Sequence, residues 1–188
     1  VLTAINTVPR HYFLDSAFLT HAYEDRAFPI GEGQTISHPH TVAYQTQLLQ
    51  INKSDKVLEI GTGCGYQAAV LSLLAKEVYS IESIRPLHDL ARSKLRPFRI
   101  ANLRLIYGDG IRGLVQAAPF DGIILAAAGL GVPDPLLDQL AIGGRLIAPV
   151  SKSETEQQLL LIERVSSHRY QRTALDEVFF VPLQSGVI

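Results

Sequence analysis

The chain of 188 residues has no methionine and only one cysteine, Cys64. A single cysteine excludes an intrachain disulfide, which suits a reducing compartment and predicts a cytoplasmic location. The chain opens VLTAINTVPR, without an initiator methionine. We therefore expect an N-terminal element ahead of Val1.

Strong charge and long apolar runs are also missing. The formal net charge is -1 at pH 7, and lysines and arginines form no run longer than two. This pattern argues against a nucleic-acid partner, which would need many phosphate contacts. No apolar run approaches the roughly 20 residues of a transmembrane helix, and no signal peptide is visible. With 47% hydrophobic residues, the chain is predicted to form one domain with a sizeable core, away from membranes and as a monomer.

From residue 56 onward, apolar strand patterns alternate with helical patterns. Strands are predicted at 57–60, 78–82, 103–107, 121–127 and 145–150, and helices at 66–75, 86–98 and 134–140. Such alternation is typical of a parallel sheet with helices on both faces. Two further strands, 157–165 and 168–182, have no full helix between them and are expected to form an antiparallel edge. The predicted fold class is a doubly wound, Rossmann-like α/β domain.

The first core strand ends in a glycine-rich turn, Gly61-Thr62-Gly63-Cys64-Gly65. The dinucleotide fingerprint G-x-G-x-x-G would require a glycine where Tyr66 stands, and a phosphate loop would require a lysine followed by serine or threonine. Neither pattern is present. The turn alone is equally consistent with a tight strand-to-helix connection.

Glu59 interrupts the apolar strand VLEI just before this turn. A pyrophosphate would meet its negative charge, whereas a ligand with an ammonium group would meet a partner. Burial of an unpaired carboxylate costs on the order of several kcal/mol, so this position needs an explanation. Hydrogen bonds from nearby backbone amides are the alternative explanation.

Two more acids follow the next two strands. Glu82 lies about 20 residues beyond the first glycine, a position suited to the hydroxyls of a ribose. Asp109 stands between Gly108 and Gly110, where backbone and side chain can both approach an adenine. A solvated acid and an ordinary turn are the alternatives for these two positions.

The three strand ends together fit a ligand with an amino-acid part, a ribose, an adenine and no phosphate. S-adenosylmethionine has this composition. The sequence therefore predicts a Rossmann-like, S-adenosylmethionine-dependent methyltransferase fold. A nicotinamide-dependent oxidoreductase and a non-catalytic nucleotide-binding module remain as alternatives from other classes.

Seven stretches over nearly the whole chain carry a family resemblance. They are VPRHYFL (8–14), AYEDRAFPIGEGQTISHPHTVA (22–43), VLEIGTGCGYQAAVLSLLA (57–75), YGDGIRG (107–113), FDGIILAAA (120–128), LLDQLAIGGRLIAPV (136–150) and FVPLQSGV (180–187). The segment GQTISHPH is the most specific, because it lies outside the core common to methyltransferases. In these stretches the chain resembles the protein-L-isoaspartate (D-aspartate) O-methyltransferases. It departs from them at His38, where the family often has a small or polar residue.

The resemblance implies methyl transfer from S-adenosylmethionine to the free carboxylate of L-isoaspartyl and D-aspartyl residues, which starts the repair of damaged proteins and peptides. Ser37 matches the family's active-site residue. We interpret it as a hydrogen-bond donor that orients the substrate carboxylate, because a carboxylate is already a competent nucleophile. The alternative is a methyltransferase of the same core that acts on a small molecule, with GQTIS only covering the cofactor.

The predicted site combines the strand ends with residues implied by the resemblance. The cofactor-binding residues are Gln34, Thr35, Ile36, Glu59, Gly61, Gly63, Glu82, Asp109 and Gly110. His40, Val181 and Gln184 are placed on the substrate side, and no metal site is expected. Residues 1–51 form an N-terminal extension with substrate and lid roles, and residues 52–188 form the cofactor-binding core.

Overall fold

The computed structural model describes residues 1–188, which form five α-helices, nine β-strands and several short 3₁₀ turns. The helices are α1 (Leu2–Thr7), α2 (Pro39–Leu49), α3 (Tyr66–Ser72), α4 (Arg85–Leu95) and α5 (Asp134–Asp138). The strands are β1 (Phe28–Gly31), β2 (Gln34–Ile36), β3 (Lys56–Ile60), β4 (Glu77–Glu82), β5 (Leu103–Tyr107), β6 (Phe120–Leu125), β7 (Leu140–Ser151), β8 (Gln157–Ser166) and β9 (Arg169–Val178). None of the helices is both long and apolar enough to span a membrane.

Seven strands form one sheet in the order β5-β4-β3-β6-β7-β8-β9. The pairs from β5 to β7 are parallel, and β8 and β9 add an antiparallel edge. The predicted α/β fold class and its antiparallel C-terminal edge are confirmed. The strand order reverses between β3 and β6, and open α/β sheets bind ligands beyond the carboxyl ends of the strands at such a point.

Both faces of the central strands are buried. In β6, Ile123 and Leu125 belong to a cluster on one face, which α5 covers, and Ile124 belongs to a cluster on the other, which α2 and α3 cover. Successive side chains of a strand point to opposite faces, so a strand covered on both faces needs an apolar residue at every position. This requirement explains the continuous run GIIL in the sequence.

The N-terminal segment packs into the same molecule through a third cluster. Ala4, Val8 and Phe13 are buried there against Ala69 and Val70 of α3. Before α2, the chain forms a two-stranded hairpin of β1 and β2. Its turn has positive φ angles at Gly31, Glu32 and Gly33.

Several predicted boundaries are wrong by two to four residues, and each has a local cause. The helix predicted to reach Leu140 ends at Asp138, because Leu140 pairs with Phe120 at the start of β7. The helices predicted to end at residues 75 and 98 end at Ser72 and Leu95. After Leu95, Arg96–Phe98 forms a 3₁₀ turn, where Pro97 disfavours continued α-helix at the residue before it.

The last predicted strand is also too long, because β9 ends at Val178 and not at Pro182. The peptide groups of Phe180 are bound by the side chain of Gln157, which accepts a hydrogen bond from the Phe180 N–H at 2.6 Å and donates one to its carbonyl at 2.9 Å. Pro182 then pairs with Ala128, beyond the end of β6. The chain therefore leaves the sheet edge and returns to the carboxyl ends of the strands.

Candidate active site

A cavity lies at the carboxyl ends of the parallel strands, where the strand order reverses. Most of its lining comes from three parts of the chain: the segment around β2, the ends of β3, β4 and β6 with the loops after them, and the segment after β9. Gly110, after β5, adds to the lining. The lining residues from the predicted site are Gln34, Thr35, Ile36, Ser37, Glu59, Gly61, Gly63, Glu82, Gly110, Val181 and Gln184. We call this space the cofactor cavity.

The charge of the cofactor cavity argues against a phosphate-bearing ligand. Its lining includes two carboxylates, Glu59 and Glu82, and no lysine, arginine or histidine. A pyrophosphate held there would face the acidic side chains of Glu59 and Glu82 without a cationic partner. A ligand with a positive charge and neutral hydroxyl groups fits this lining.

Glu59 is fully buried at the end of β3. Its Oε2 accepts a hydrogen bond of 2.5 Å from the Ser80 hydroxyl, and its Oε1 has no hydrogen-bond partner in the chain. Burial raises the pKa of Glu59 to about 8; the nearby Glu82 charge adds to the rise and the Ser80 hydrogen bond opposes it. A buried oxygen without a partner marks a position where a ligand donor can bind. The alternative explanation, hydrogen bonds from backbone amides, does not apply, because the hydrogen bond to Glu59 comes from the Ser80 side chain.

Glu82 is also buried, at 4% exposure, so it is not a solvated strand-end acid. Its Oε2 accepts a hydrogen bond from the Gly63 N–H at 2.8 Å, and its Oε1 accepts one from the Ile84 N–H at 3.0 Å. Each carboxylate oxygen has a second lone pair and can accept one more bond. The carboxylate is therefore fixed against the glycine turn and still available to ligand hydroxyls.

Close packing explains why glycine occupies two positions near the cavity. Gly65 has a φ of +92°, and a Cβ there would lie 2.7 Å from Leu95 of α4. A Cβ at Gly110 would lie 2.5 Å from Ile60, at the end of β3. The turn after β3 therefore packs tightly on α4, which brings the start of α3 next to the cavity.

Ser37 follows β2 and lies at the boundary of two spaces. It lines the cofactor cavity, and it also lines a smaller neighbouring cavity together with His38. We call the smaller space the acceptor cleft. The two spaces share Thr35, Ser37, Ala126 and Val181. The Ser37 side chain can therefore contact a molecule in the cofactor cavity and a molecule in the acceptor cleft.

Asp25 holds the segment that carries Ser37. Its Oδ1 accepts a hydrogen bond of 2.9 Å from the N–H of His40, in the first turn of α2, and its carbonyl accepts one of 3.1 Å from Nδ1 of His38. His38 provides no side-chain cap for α2. Asp25 thus supplies the acceptor that a helix N-terminus needs.

Arg10 holds the segment that carries Asp25. The buried guanidinium donates from Nε to the carbonyl of Ala22 at 2.8 Å and from a terminal nitrogen to that of Arg26 at 3.3 Å. It also lies over the ring of Tyr66, 5.2 Å from the centroid. Because Tyr66 lines the cofactor cavity, one side chain connects the cofactor side with the segment that leads to Ser37.

Two residues of the predicted site do not line the cofactor cavity. Asp109 directs its Oδ1 to the N–H of Ile111 at 3.1 Å, and only its neighbour Gly110 reaches the cavity. His40 is exposed and stacks on Tyr44, with ring centroids 6.0 Å apart. The adenine role of Asp109 and the substrate role of His40 therefore remain predictions.

The sequence reasoning also missed residues that line the cavity. Tyr66 and Gln67 begin α3, and Ala126 and Ala127 follow β6. The rule that ligands bind at strand ends would have identified the two alanines, because β6 is a neighbour of β3. Cys64 lines the cavity as well, and burial raises the pKa of its thiol to about 11. This thiol stays protonated near neutral pH and is not an activated nucleophile.

A mostly parallel sheet of this order, with a cavity at its point of reversal that is lined by acidic and no basic side chains, is the arrangement of an S-adenosylmethionine-dependent methyltransferase. The family model for protein-L-isoaspartate(D-aspartate) O-methyltransferase matches residues 1–187. The chain belongs to this family.

Similar proteins agree with this assignment. The chain is 61% identical to the protein-L-isoaspartate O-methyltransferase of Cupriavidus pinatubonensis and 58% identical to that of Burkholderia mallei, in both cases over all of its own length. It spans 68% and 59% of the lengths of these two relatives, and 66% of a second Cupriavidus relative, from Cupriavidus necator.

Two solved structures share the fold over 97% of the chain. One is a protein-L-isoaspartate O-methyltransferase, with a TM-score of 0.89, 30% identity and 60% of that chain covered. The other is a Plasmodium falciparum protein described as a protein-L-isoaspartate O-methyltransferase in complex with S-adenosyl-L-homocysteine. It has a TM-score of 0.85, 22% identity and 88% of that chain covered.

Proposed function

We propose that this chain transfers the methyl group of S-adenosylmethionine to the free carboxylate of L-isoaspartyl and D-aspartyl residues in damaged proteins and peptides. The observation that carries the proposal is the position of Ser37, on the boundary between the cofactor cavity and the acceptor cleft. A methyl transfer needs a donor and an acceptor that meet at one point. Ser37 is a side chain at the meeting point of the two spaces.

The residues of the cofactor cavity fit S-adenosylmethionine, which when bound supplies a methyl group activated by a sulfonium charge. In our proposal, Glu82 accepts hydrogen bonds from the ribose hydroxyls. The unpaired oxygen of Glu59 accepts a hydrogen bond from the ammonium group. Gln34, Thr35 and Ile36 cover the ligand on one side. Val181 and Gln184 cover it on the other side, which keeps water away from the reacting groups.

Ser37 acts on the acceptor and is not a covalent nucleophile. An isoaspartyl carboxylate is ionised at neutral pH, so it needs no general base before it takes up the methyl group. The Ser37 hydroxyl donates a hydrogen bond to one carboxylate oxygen and leaves the other directed at the cofactor cavity. A neutral donor aligns the nucleophile without the strong pairing of an arginine or lysine, which would reduce its reactivity.

The proposal also includes a biological role and a role for each part of the chain. Methylation of an isoaspartyl residue starts its return to normal aspartate, so the role is protein repair. We infer that residues 1–51 contribute the acceptor side and residues 52–188 the cofactor side. We also infer that the protein acts in the cytoplasm. We infer further that it is a monomer, and light scattering on the purified protein would test this oligomeric state.

The decisive experiment compares two peptides that differ only in one residue, isoaspartate or aspartate. Transfer of labelled methyl from S-adenosylmethionine to the isoaspartyl peptide alone, as a base-labile ester, is the expected result. Labelling of both peptides or of neither, while S-adenosylhomocysteine still binds, would contradict the proposed acceptor. In that case a small-molecule acceptor becomes the next class to test.

A further inference from the structure

The acceptor cleft contains a large exposed aromatic residue that no part of the proposed chemistry uses. Phe179 lines the cleft and is 84% exposed, whereas its neighbour Phe180 is 6% exposed. Single exposed apolar residues are common on protein surfaces. The location is what distinguishes Phe179, because the cleft it lines also contains Ser37.

Phe179 is held in this position by its neighbours. The side chain of Gln157 binds both peptide groups of Phe180. The Val181 carbonyl accepts a hydrogen bond of 2.8 Å from the Ala128 N–H. Phe180 is buried and Phe179 is exposed, so the two neighbouring rings lie in different surroundings. The backbone beside the ring is therefore held, and a contact with the ring has to order only its side-chain torsions.

The acceptor chemistry indicates what this ring contacts. A polypeptide whose modified residue lies at Ser37 must place the neighbouring residues of its chain along the cleft. Besides Phe179, the residues that line only the cleft are Ala27, His38, Thr41 and the buried Phe180. Of these, His38 already donates from Nδ1 to the Asp25 carbonyl. Phe179 is the large apolar surface left for a flanking side chain.

We propose that Phe179 is a specificity-determining residue, whose ring receives an apolar side chain next to the isoaspartyl residue of the acceptor polypeptide. This inference rests on the proposed function and adds the class of flanking residue that the enzyme prefers. Packing of two aromatic side chains in such a contact corresponds to a change in KM of roughly 3- to 10-fold. The effect falls on KM more than on kcat, because the contact is made equally before and during methyl transfer.

The experiment uses isoaspartyl peptides of one sequence, with alanine or phenylalanine at the residue before or after the isoaspartate. For the native enzyme, KM should be roughly 3- to 10-fold lower for phenylalanine than for alanine at one of the two flanks. Phe179→Ser should bring this ratio close to one, and Phe179→Leu should keep part of it. Leu130→Ser is the matched control, because Leu130 is 94% exposed and lines neither the cofactor cavity nor the acceptor cleft.

The outcomes separate the two proposals. Equal KM values for all flanks in the native enzyme, or an unchanged ratio in Phe179→Ser, would overturn the role of Phe179 and leave the proposed function intact. Absence of methylation of every isoaspartyl peptide would overturn the proposed function and this inference with it. A melting temperature within about a degree of the native value is expected for Phe179→Ser, because the ring is exposed and surface changes are usually small.

Discussion

Glu59 makes the stability of the ligand-free protein depend on pH in an unusual direction. Its pKa is raised from an ordinary value of 4.5 to about 8 in the folded chain. Between these two values the unfolded chain loses the proton and the folded chain keeps it, so the free energy of unfolding falls as pH rises, by roughly 1 kcal/mol per pH unit. Below pH 4.5 both states are protonated and the full contribution of Glu59 is present.

We expect Glu59→Gln, which cannot ionise, to escape this loss. The melting temperature of Glu59→Gln relative to the native protein should increase from pH 5 to pH 8 and then level off. Thermal denaturation without ligand, in a series of buffers across this range, measures the difference and cancels the effect of all other titrating groups. A difference that does not change with pH would mean that Glu59 is already ionised in the folded chain.

Ser37 is predicted to act through one hydrogen bond to a charged group. Loss of such a bond costs about 1.5–3 kcal/mol, so Ser37→Ala should lower kcat/KM for an isoaspartyl peptide by roughly 10- to 100-fold. Affinity for S-adenosylhomocysteine, measured by titration calorimetry, should change little, and Ser37→Thr should keep part of the activity. Full activity in Ser37→Ala would remove Ser37 from the mechanism.

At the scale of elements, the start of α2 depends on a residue outside the helix. Asp25 accepts the hydrogen bond of the His40 N–H, a role that a residue of α2 itself does not fill. We expect Asp25→Ala to lose about 1 kcal/mol of stability, as for other helix caps. It should also lower kcat/KM for an isoaspartyl peptide, because the first turn of α2, directly after Ser37, loses the hydrogen bond that holds it.

The control for Asp25 is its neighbour Glu24, which forms exposed ion pairs with His21 and Arg26. Such pairs contribute little, so Glu24→Ala should keep both stability and activity. Asp25→Asn retains a side-chain oxygen and should lie between the native protein and Asp25→Ala. Equal effects of Asp25→Ala and Glu24→Ala on kcat/KM would show that this cap does not position Ser37.

The elements that the sequence predicts well are those whose pattern is local. Strands buried on both faces leave apolar runs such as GIIL, and the acids and glycines at their ends mark the cofactor cavity. The hairpin β1–β2 was not predicted, because two strands of four and three residues are too short to show a period. Its turn Gly31-Glu32-Gly33 was the available signal, but glycine marks many kinds of turn.

Contacts between segments that are distant in sequence could not be predicted from sequence patterns. For Asp109 the structure shows a local contact, from the Ile111 N–H to Oδ1, and its adenine role stays a prediction. Arg10 gave no signal at all, since its partners are the carbonyls of Ala22 and Arg26 and the ring of Tyr66. A buried arginine is identified only when the fold shows which chain segments surround it.

For the whole molecule, the cofactor cavity joins parts of the chain that are far apart in sequence. Residues around Ser37, the turn after β3 and the segment after β9 all line it. The segment after β9 is bound at both ends, through Ala128 near Val181 and through Ser83 and Arg85 at Ile188. A ligand in this cavity would therefore tie the first and last parts of the chain to the sheet between them.

We expect S-adenosylhomocysteine to stabilise the whole molecule and to protect three separate segments. At 100 times its Kd, a ligand specific for the folded state adds about 2.7 kcal/mol, or roughly 5–10 °C in melting temperature for a chain of this size. Amide hydrogen exchange should slow at 34–37, 61–67 and 181–184, and the turn between β8 and β9 should be unaffected. NAD should give neither effect, because the acidic lining has no cation for its phosphates. Protection confined to 61–67 would mean that the ligand binds the glycine turn alone and that the segments before α2 and after β9 do not close on it.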